Sequence, residues 1–197
     1  MPAIAPPDPP LEDGTVTLRA FGMSDAPAVA DAIQDPEIGR WTSLQLPYSI
    51  EQASDWIRGQ EEQRRSGTAI DLAITHSGSG AFAGAIGLAG FDLERRTAQI
   101  GYWMAREARN MGSATRAVVL VSDWAFSALR LERLTLTTIV GNAASDRVAT
   151  KAGFRQVDLL EGQEVGRRTV DVTRWELLAA PASTTPEGDP HAAGFRA

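Results

Sequence analysis

The sequence predicts a single domain of mixed α+β class, and three features lead to it. Residues 70–76, 81–91 and 97–104 are apolar runs separated only by Ser77-Gly78-Ser79-Gly80 and by the charged turn at 92–96, the pattern of an antiparallel meander. Residues 115–129 follow with Ala117, Val118, Val121, Trp124, Ala125 and Ala128 at three- and four-residue spacing, continuing from Ala114, so one helical stripe faces a core. The remainder reads as a strand at 132–140, a helix at 142–152 ended by Gly153, and two closing strands at 154–160 and 169–178.

Ahead of the meander, residues 15–19 alternate and form a first strand, and Ser24-Asp25 caps a short helix that Asp35-Pro36 ends. Residues 39–49 hold Trp41, Leu44, Leu46, Pro47 and Tyr48 without a period and read as an apolar-aromatic connector. Ser49-x-x-Gln52 is a capping box opening a helix that runs to about Ser66, with Gly67 as its C-cap. The polar residues 161–168 join the last two strands. The domain therefore spans 15–178. A Pro/Ala/Asp-rich segment at 1–14 is expected as a disordered N-terminal tail, and 179–197 as a flexible C-terminal one.

Composition narrows the function. At 197 residues one domain can bury roughly 70% of its unfolded surface. The absence of cysteine removes disulfides and thiolate metal sites, and His76 and His191 are the only imidazoles, so no metal centre is expected. A net charge of −6 argues against nucleic acid and favours cationic or amine partners. The proline-rich start carries no signal-peptide pattern and nothing approaches ~20 consecutive apolar residues, so a cytoplasmic location without membrane contact is expected.

The chemistry centres on the connector before the long helix. Arg109, Asn110, Met111, Gly112, Ser113 and Ala114 place a glycine and small side chains where Thr115 opens a helix. Free N–H groups and about half a positive charge make such a terminus an anion site, and small residues let a phosphate approach the backbone. Neither a P-loop nor a dinucleotide fingerprint is present; Gly84, Gly87 and Gly90 lie inside an apolar strand.

Arg109-x-x-Gly112-x-Ala114 resembles the pyrophosphate turn of the GNAT acetyltransferase superfamily. Gly101-Tyr102-Trp103-Met104 resembles its fourth strand, and Trp124-Ala125-Phe126 with Leu131-Glu132-Arg133-Leu134 the end of its third helix and its fifth strand. Asn142-x-x-Ser145-x-x-Val148-Ala149-x-Lys151-x-Gly153-Phe154 resembles a signature of the Rim-type branch, best known for acetylating ribosomal-protein N-termini. The resemblance covers about 15–178. It implies a mostly antiparallel sheet splayed between its fourth and fifth strands, flanked by about four helices, with acetyl-CoA (coenzyme A) as cofactor and a homodimer as the assembly. It also implies cofactor contacts from Trp103, Met104, Arg109, Asn110, Gly112, Ser113, Ala114, Thr115, Asn142, Ser145 and Lys151. An amine-bearing acceptor, a protein N-terminus or a small molecule, would lie near Trp41, Tyr48 and Gln99.

For catalysis, the N–H near Met104, where its strand is expected to bulge, is the proposed oxyanion donor, and Ser145 the candidate for protonating the thiolate. The glutamate that relatives carry two residues before the Gly-Tyr pair is Gln99, and the tyrosine that many use as an acid is Ala149. With no strong base, a low-pKa amine is favoured: at pH ~7.5 an α-amine is roughly one-third neutral and a lysine about 0.1%, a gap of about 3.3 kcal/mol. A catalytically weak GNAT domain acting as an acyl-CoA-binding module is the alternative.

Overall fold

The computed structural model describes residues 2–180. Eight strands form one sheet in the order β1-β2-β3-β4-β5-β6-β8-β7: β1 (Leu11–Glu12), β2 (Val16–Ala20), β3 (Ala69–His76), β4 (Phe82–Asp92), β5 (Thr97–Met104), β6 (Arg133–Ile139), β7 (Arg155–Val165) and β8 (Arg168–Leu178). Every neighbouring pair is antiparallel except β5 and β6. Five helices cover it: α1 (Ala26–Ile33), α2 (Pro36–Trp41), α3 (Ile50–Ser66), α4 (Ser113–Ser127) and α5 (Ala143–Lys151).

The faces divide by the period of two. Leu72, Ile74, Ile86, Leu88 and Ile100 meet Val118, Val121 and Trp124 of α4 and Ala149 of α5 in the main core. On the other face α1 and α3 close a smaller cluster around Val29, Ile33, Ala53 and Ile57, with Phe82 and Trp103 against it. The capping box of α3 forms as expected, Gln52 N–H donating to Ser49 Oγ and Ser49 N–H to Gln52 Oε1, and Gly67 ends the helix in the left-handed region at φ +71°.

Several expectations need correction. The segment before Thr15 makes contacts that a free tail would lack: Leu11–Glu12 pairs with β2, and Ile4 N–H donates to the Arg64 carbonyl at 2.8 Å. Asp13 makes this possible, because its carboxylate accepts from the Thr15 and Val16 N–H groups and pairs with Arg116 at 2.7 Å. β1 shifts the strand count by one, so the fourth and fifth strands of the sequence reading are β5 and β6. Part of the apolar connector is α2, whose start is fixed by Asp35 as N-cap and Pro36 in the first turn. The polar residues 161–168 continue the β7–β8 ladder to Val165 and Arg168 instead of forming a loop. The expected bulge lies in β4, where Ala83 is the extra residue against β3; β5 keeps unbroken register from Gln99 to Met104. Beyond Ala180 the C-terminal segment, His191 included, lies outside the described residues.

Asp35 joins two halves of the domain. Its buried carboxylate accepts from Glu37 N–H at 3.2 Å and pairs with Arg106 at 3.1 Å and Arg109 at 2.7 Å, which come from the chain between β5 and α4. The Arg106 hydrogen bond, helped by the Glu37 N–H and Arg109, holds the Asp35 carboxyl below the usual carboxylate range against the opposing effect of burial. Asp35→Asn keeps the cap oxygen and removes the charge. It should lower stability by about 1–3 kcal/mol in urea melts at neutral pH. A depressed folded-state value stabilises above the unfolded pKa of ~3.9, so the gap to wild type should be full above that pH and close as acid titrates the folded carboxyl.

Candidate active site

β5 and β6 run together over four residue pairs and then part. The ladder stops at Ile100–Leu136, although β5 continues to Met104 and β6 to Ile139. Ala105 N–H donates to the Ala83 carbonyl at 2.9 Å, so the residues in phase with it, Trp103 and Gly101, face β4 with their main-chain groups. The alternate residues, Tyr102 and Met104, turn theirs toward the gap that β6 has left. A length of open strand edge results, able to accept an added strand or an amide-bearing ligand.

The gap leads into a cleft of about 870 Å³ that reaches from the N-terminus of α4 through the parted strands to the α1–α3 side of the sheet. At its α4 end Asn110 and Gly112 are both left-handed, φ +62° and +81°. No side chain caps α4, and among the described residues no protein group accepts from the N–H groups of Gly112, Ser113, Ala114 or Thr115. A side chain added at Gly112 would meet nothing within 4 Å and would project into open space. Ser113 Oγ is buried without a partner. Four free N–H groups, an orphan hydroxyl and the start of a fifteen-residue helix suit an anionic phosphate group.

The expected cofactor residues gather here with one change. Trp103, Met104, Arg109, Asn110, Gly112, Ser113, Ala114 and Thr115 all line the cleft, as do Asn142, Ser145 and the exposed Lys151. The Arg109 guanidinium, however, is turned inward: Nε and Nη2 donate to the Met104 carbonyl at 3.2 and 3.0 Å, and Nη1 pairs with Asp35. Its side chain therefore fastens the turn while still bordering the cleft. Asn142 caps α5, its Oδ1 accepting from Ser145 N–H at 3.1 Å.

Ser145 makes a bond the sequence did not disclose. Its hydroxyl lies 2.7 Å from Tyr102 Oη, whose deprotonation burial pushes up to about 12, so the phenol stays protonated at physiological pH. In the sequence Tyr102 marks its strand and carries no other signal. The next residue, Asp146, accepts from Thr138 Oγ1 at 2.7 Å.

The residues expected near the acceptor also line the cleft. Trp41 donates through its indole N–H to Glu37 at 2.9 Å, with the Arg40 guanidinium 4.7 Å above its ring. Tyr48 packs against the α1–α3 cluster, and burial raises its phenol pKa. Gln99 Nε2 donates to Thr137 Oγ1 at 3.0 Å, a bridge between β5 and β6 beside the point of parting. Among the described residues no group of three His, Asp or Glu side chains is placed to hold a metal, and no helix is long and apolar enough to cross a membrane.

A parallel strand pair parted beside an uncapped helix N-terminus is the arrangement that the resemblance to GNAT acetyltransferases implies. The chain belongs to the GNAT acetyltransferase family: residues 15–155 match the acetyltransferase (GNAT) domain. It is 30% identical over 152 residues to the uncharacterized N-acetyltransferase YoaA of Bacillus subtilis (strain 168), covering 77% of this chain and 86% of that one. It is also 30% identical over 147 residues, 71% of this chain and 77% of the other, to YdaF of the same organism, which carries the name of a ribosomal N-acetyltransferase. Mycobacterium smegmatis RimJ, solved in complex with CoA-disulfide, superposes with a TM-score of 0.77 at 25% identity over 90% of this chain and 88% of its own.

Replacing Gly112 with valine should weaken acetyl-CoA binding by about tenfold or more, since a β-branched residue resists φ +81° and the turn that presents the free amides would have to shift. Titration calorimetry against wild type measures the change.

Proposed function

We propose that the chain transfers the acetyl group of acetyl-CoA to a primary amine by direct attack in a ternary complex, and that it favours an α-amino or other low-pKa amine on a protein N-terminus or small molecule. One observation carries the reading: a single cleft joins the free amides of α4, the open edge of β5 and the Ser145 hydroxyl. YdaF's name supports a ribosomal-protein N-terminus among the acceptors.

Bound acetyl-CoA supplies an activated thioester. The chain supplies the rest. The amides of Gly112, Ser113, Ala114 and Thr115, with Ser113 Oγ, are the groups suited to its diphosphate. Tyr102 N–H and C=O, left without β6, offer a partner for an extended amide-bearing arm. Met104 N–H faces the same gap and serves as the donor to an oxyanion, a contact worth about 2.7–4 kcal/mol in well-studied enzymes. Arg109, gripping the Met104 carbonyl, fixes that peptide's orientation. Ser145 is the proton donor for a departing sulfur, and Tyr102, which touches it, holds its hydroxyl in place.

Gln99 does not titrate and is engaged with Thr137, so it serves as a strand bridge and not as a base. Much of the rate then comes from holding amine and thioester together, an effect of about 7–11 kcal/mol in favourable cases.

A thiol-release assay with matched α-amines and lysine ε-amines tests the reading. Wild type should show higher kcat/KM for the α-amine series, and Ser145→Ala should lower kcat by about 10²-fold or more while acetyl-CoA affinity stays within about threefold. A preference for the ε-amine would contradict the proposed selectivity; no thiol release with any amine would leave a binding module only.

A further inference from the structure

The α1–α3 side of the cleft holds a carboxylate that the mechanism above does not use. Asp71 is the single charged residue within the strand run Ile70-Asp71-Leu72-Ala73-Ile74. In the ladder Asp71 lies opposite Gly87, and Gly87 opposite Gly101, so the three form a row running across β3, β4 and β5. The row ends one residue past Ile100, where β6 departs.

The two glycines give the row its shape. A Cβ built on Gly87 would fall 2.0 Å from Asp71 Oδ1, so the carboxylate lies directly over the neighbouring strand, on the side toward the gap. A Cβ on Gly101 would meet nothing within 4 Å, so the floor beyond it is open. Adjacent strands lie about 4.8 Å apart, so the carboxylate laid over Gly87 of β4 is one strand from Gly101 of β5, on the way to the gap.

Around Asp71, acceptors outnumber donors. Gln60 Nε2 donates to Oδ2 at 3.1 Å, and among the described residues no other protein donor reaches the carboxylate and no Arg or Lys pairs with it. Gln60 is only 4% exposed, yet its Oε1 is buried with no partner beside that same bond. Gln63, one turn on along α3 and lining the same cleft, also has a buried Oε1 without a partner. Asp71 lines the cleft with lone pairs that Gln60 does not fill, and an ammonium group, with three N–H donors and no acceptor, suits them.

On the acetyltransferase reading just given, we propose that Asp71, held by Gln60 and laid over Gly87, is where the cleft receives the ammonium group of its acceptor. The acceptor thereby arrives as a cationic amine, loses its proton to water before it attacks as the neutral amine, and has neighbouring atoms slim enough to lie along the bare backbone of Gly87 and Gly101. Burial pushes the Asp71 carboxyl up, opposed by the Gln60 bond, and a cation would offset that pressure.

The test compares wild type with Asp71→Asn, which keeps size and a partner for Gln60 while removing the charge. Calorimetry is run with three probe amines, alaninamide, trimethylenediamine and a dipeptide amide, titrated into CoA-saturated protein, and separately with acetyl-CoA. The tightest-binding amine should lose about tenfold or more in affinity in the variant, with acetyl-CoA affinity within about twofold. The melting temperature should hold or rise, because burial disfavours the charged form. Equal amine affinity in the two proteins, or no binding of any probe to wild type, would overturn the assignment. A lowered melting temperature with unchanged amine affinity would show Asp71 to be structural only. Thiol release is measured in the same samples: amine binding that depends on Asp71 without release would refute the transferase reading and leave this one standing.

Discussion

The site depends on two neighbouring side chains in the first turn of α5. Ser145 bonds Tyr102 of β5 at 2.7 Å, and Asp146 accepts from Thr138 of β6 at 2.7 Å. One helical turn is thus tied to both strands just beyond their last shared pair. Thr138 is held again from behind by the Trp175 indole of β8 at 3.0 Å. On the opposite face Gln99 and Thr137 bridge the strands beside the parting. Two parallel strands that would otherwise continue their ladder are pinned apart, and unpaired main-chain groups of β5 become a binding edge.

The second constraint is Asp35. It caps α2 on one side of the cleft and grips Arg106 and Arg109 on the other, and Arg109 passes the connection to the Met104 carbonyl. The strand end and the phosphate turn are therefore positioned by a buried carboxylate about seventy residues earlier in the chain. Buried pairs of this kind contribute little net stability when compared with apolar packing, yet removing one member leaves the other uncompensated. Its value here is geometric: it ties α2 on one wall of the cleft to the turn ahead of α4.

Local signals carried much of this into the sequence. The alternation of 97–104, the stripe of 115–129, the Ser49-x-x-Gln52 box and the glycine at 112 each depend on residues a few positions apart, and each is found where it was expected, α4 starting two residues early. The bulge near Met104 was misplaced by one strand, because two-residue periodicity does not say which partner carries the extra residue. Arg109 illustrates the other limit. Its position in the turn points to a phosphate contact, whereas the Asp35 pair that holds its guanidinium comes from a distant residue that no local pattern encodes. The Tyr102–Ser145 contact and the row Asp71–Gly87–Gly101 depend on strand register, which no short pattern encodes; an isolated carboxylate in an apolar strand was the one available hint.

The claim on which the rest stands is that the bare amides of α4 and the freed edge of β5 jointly hold the acyl donor. Amide hydrogen exchange resolved by residue, with and without acetyl-CoA, measures this directly. The account predicts slowed exchange at Gly112, Ser113, Ala114 and Thr115 together with Tyr102 and Met104. Saturating acetyl-CoA that leaves those six amides unchanged, or slows exchange only elsewhere in the sheet, would contradict it.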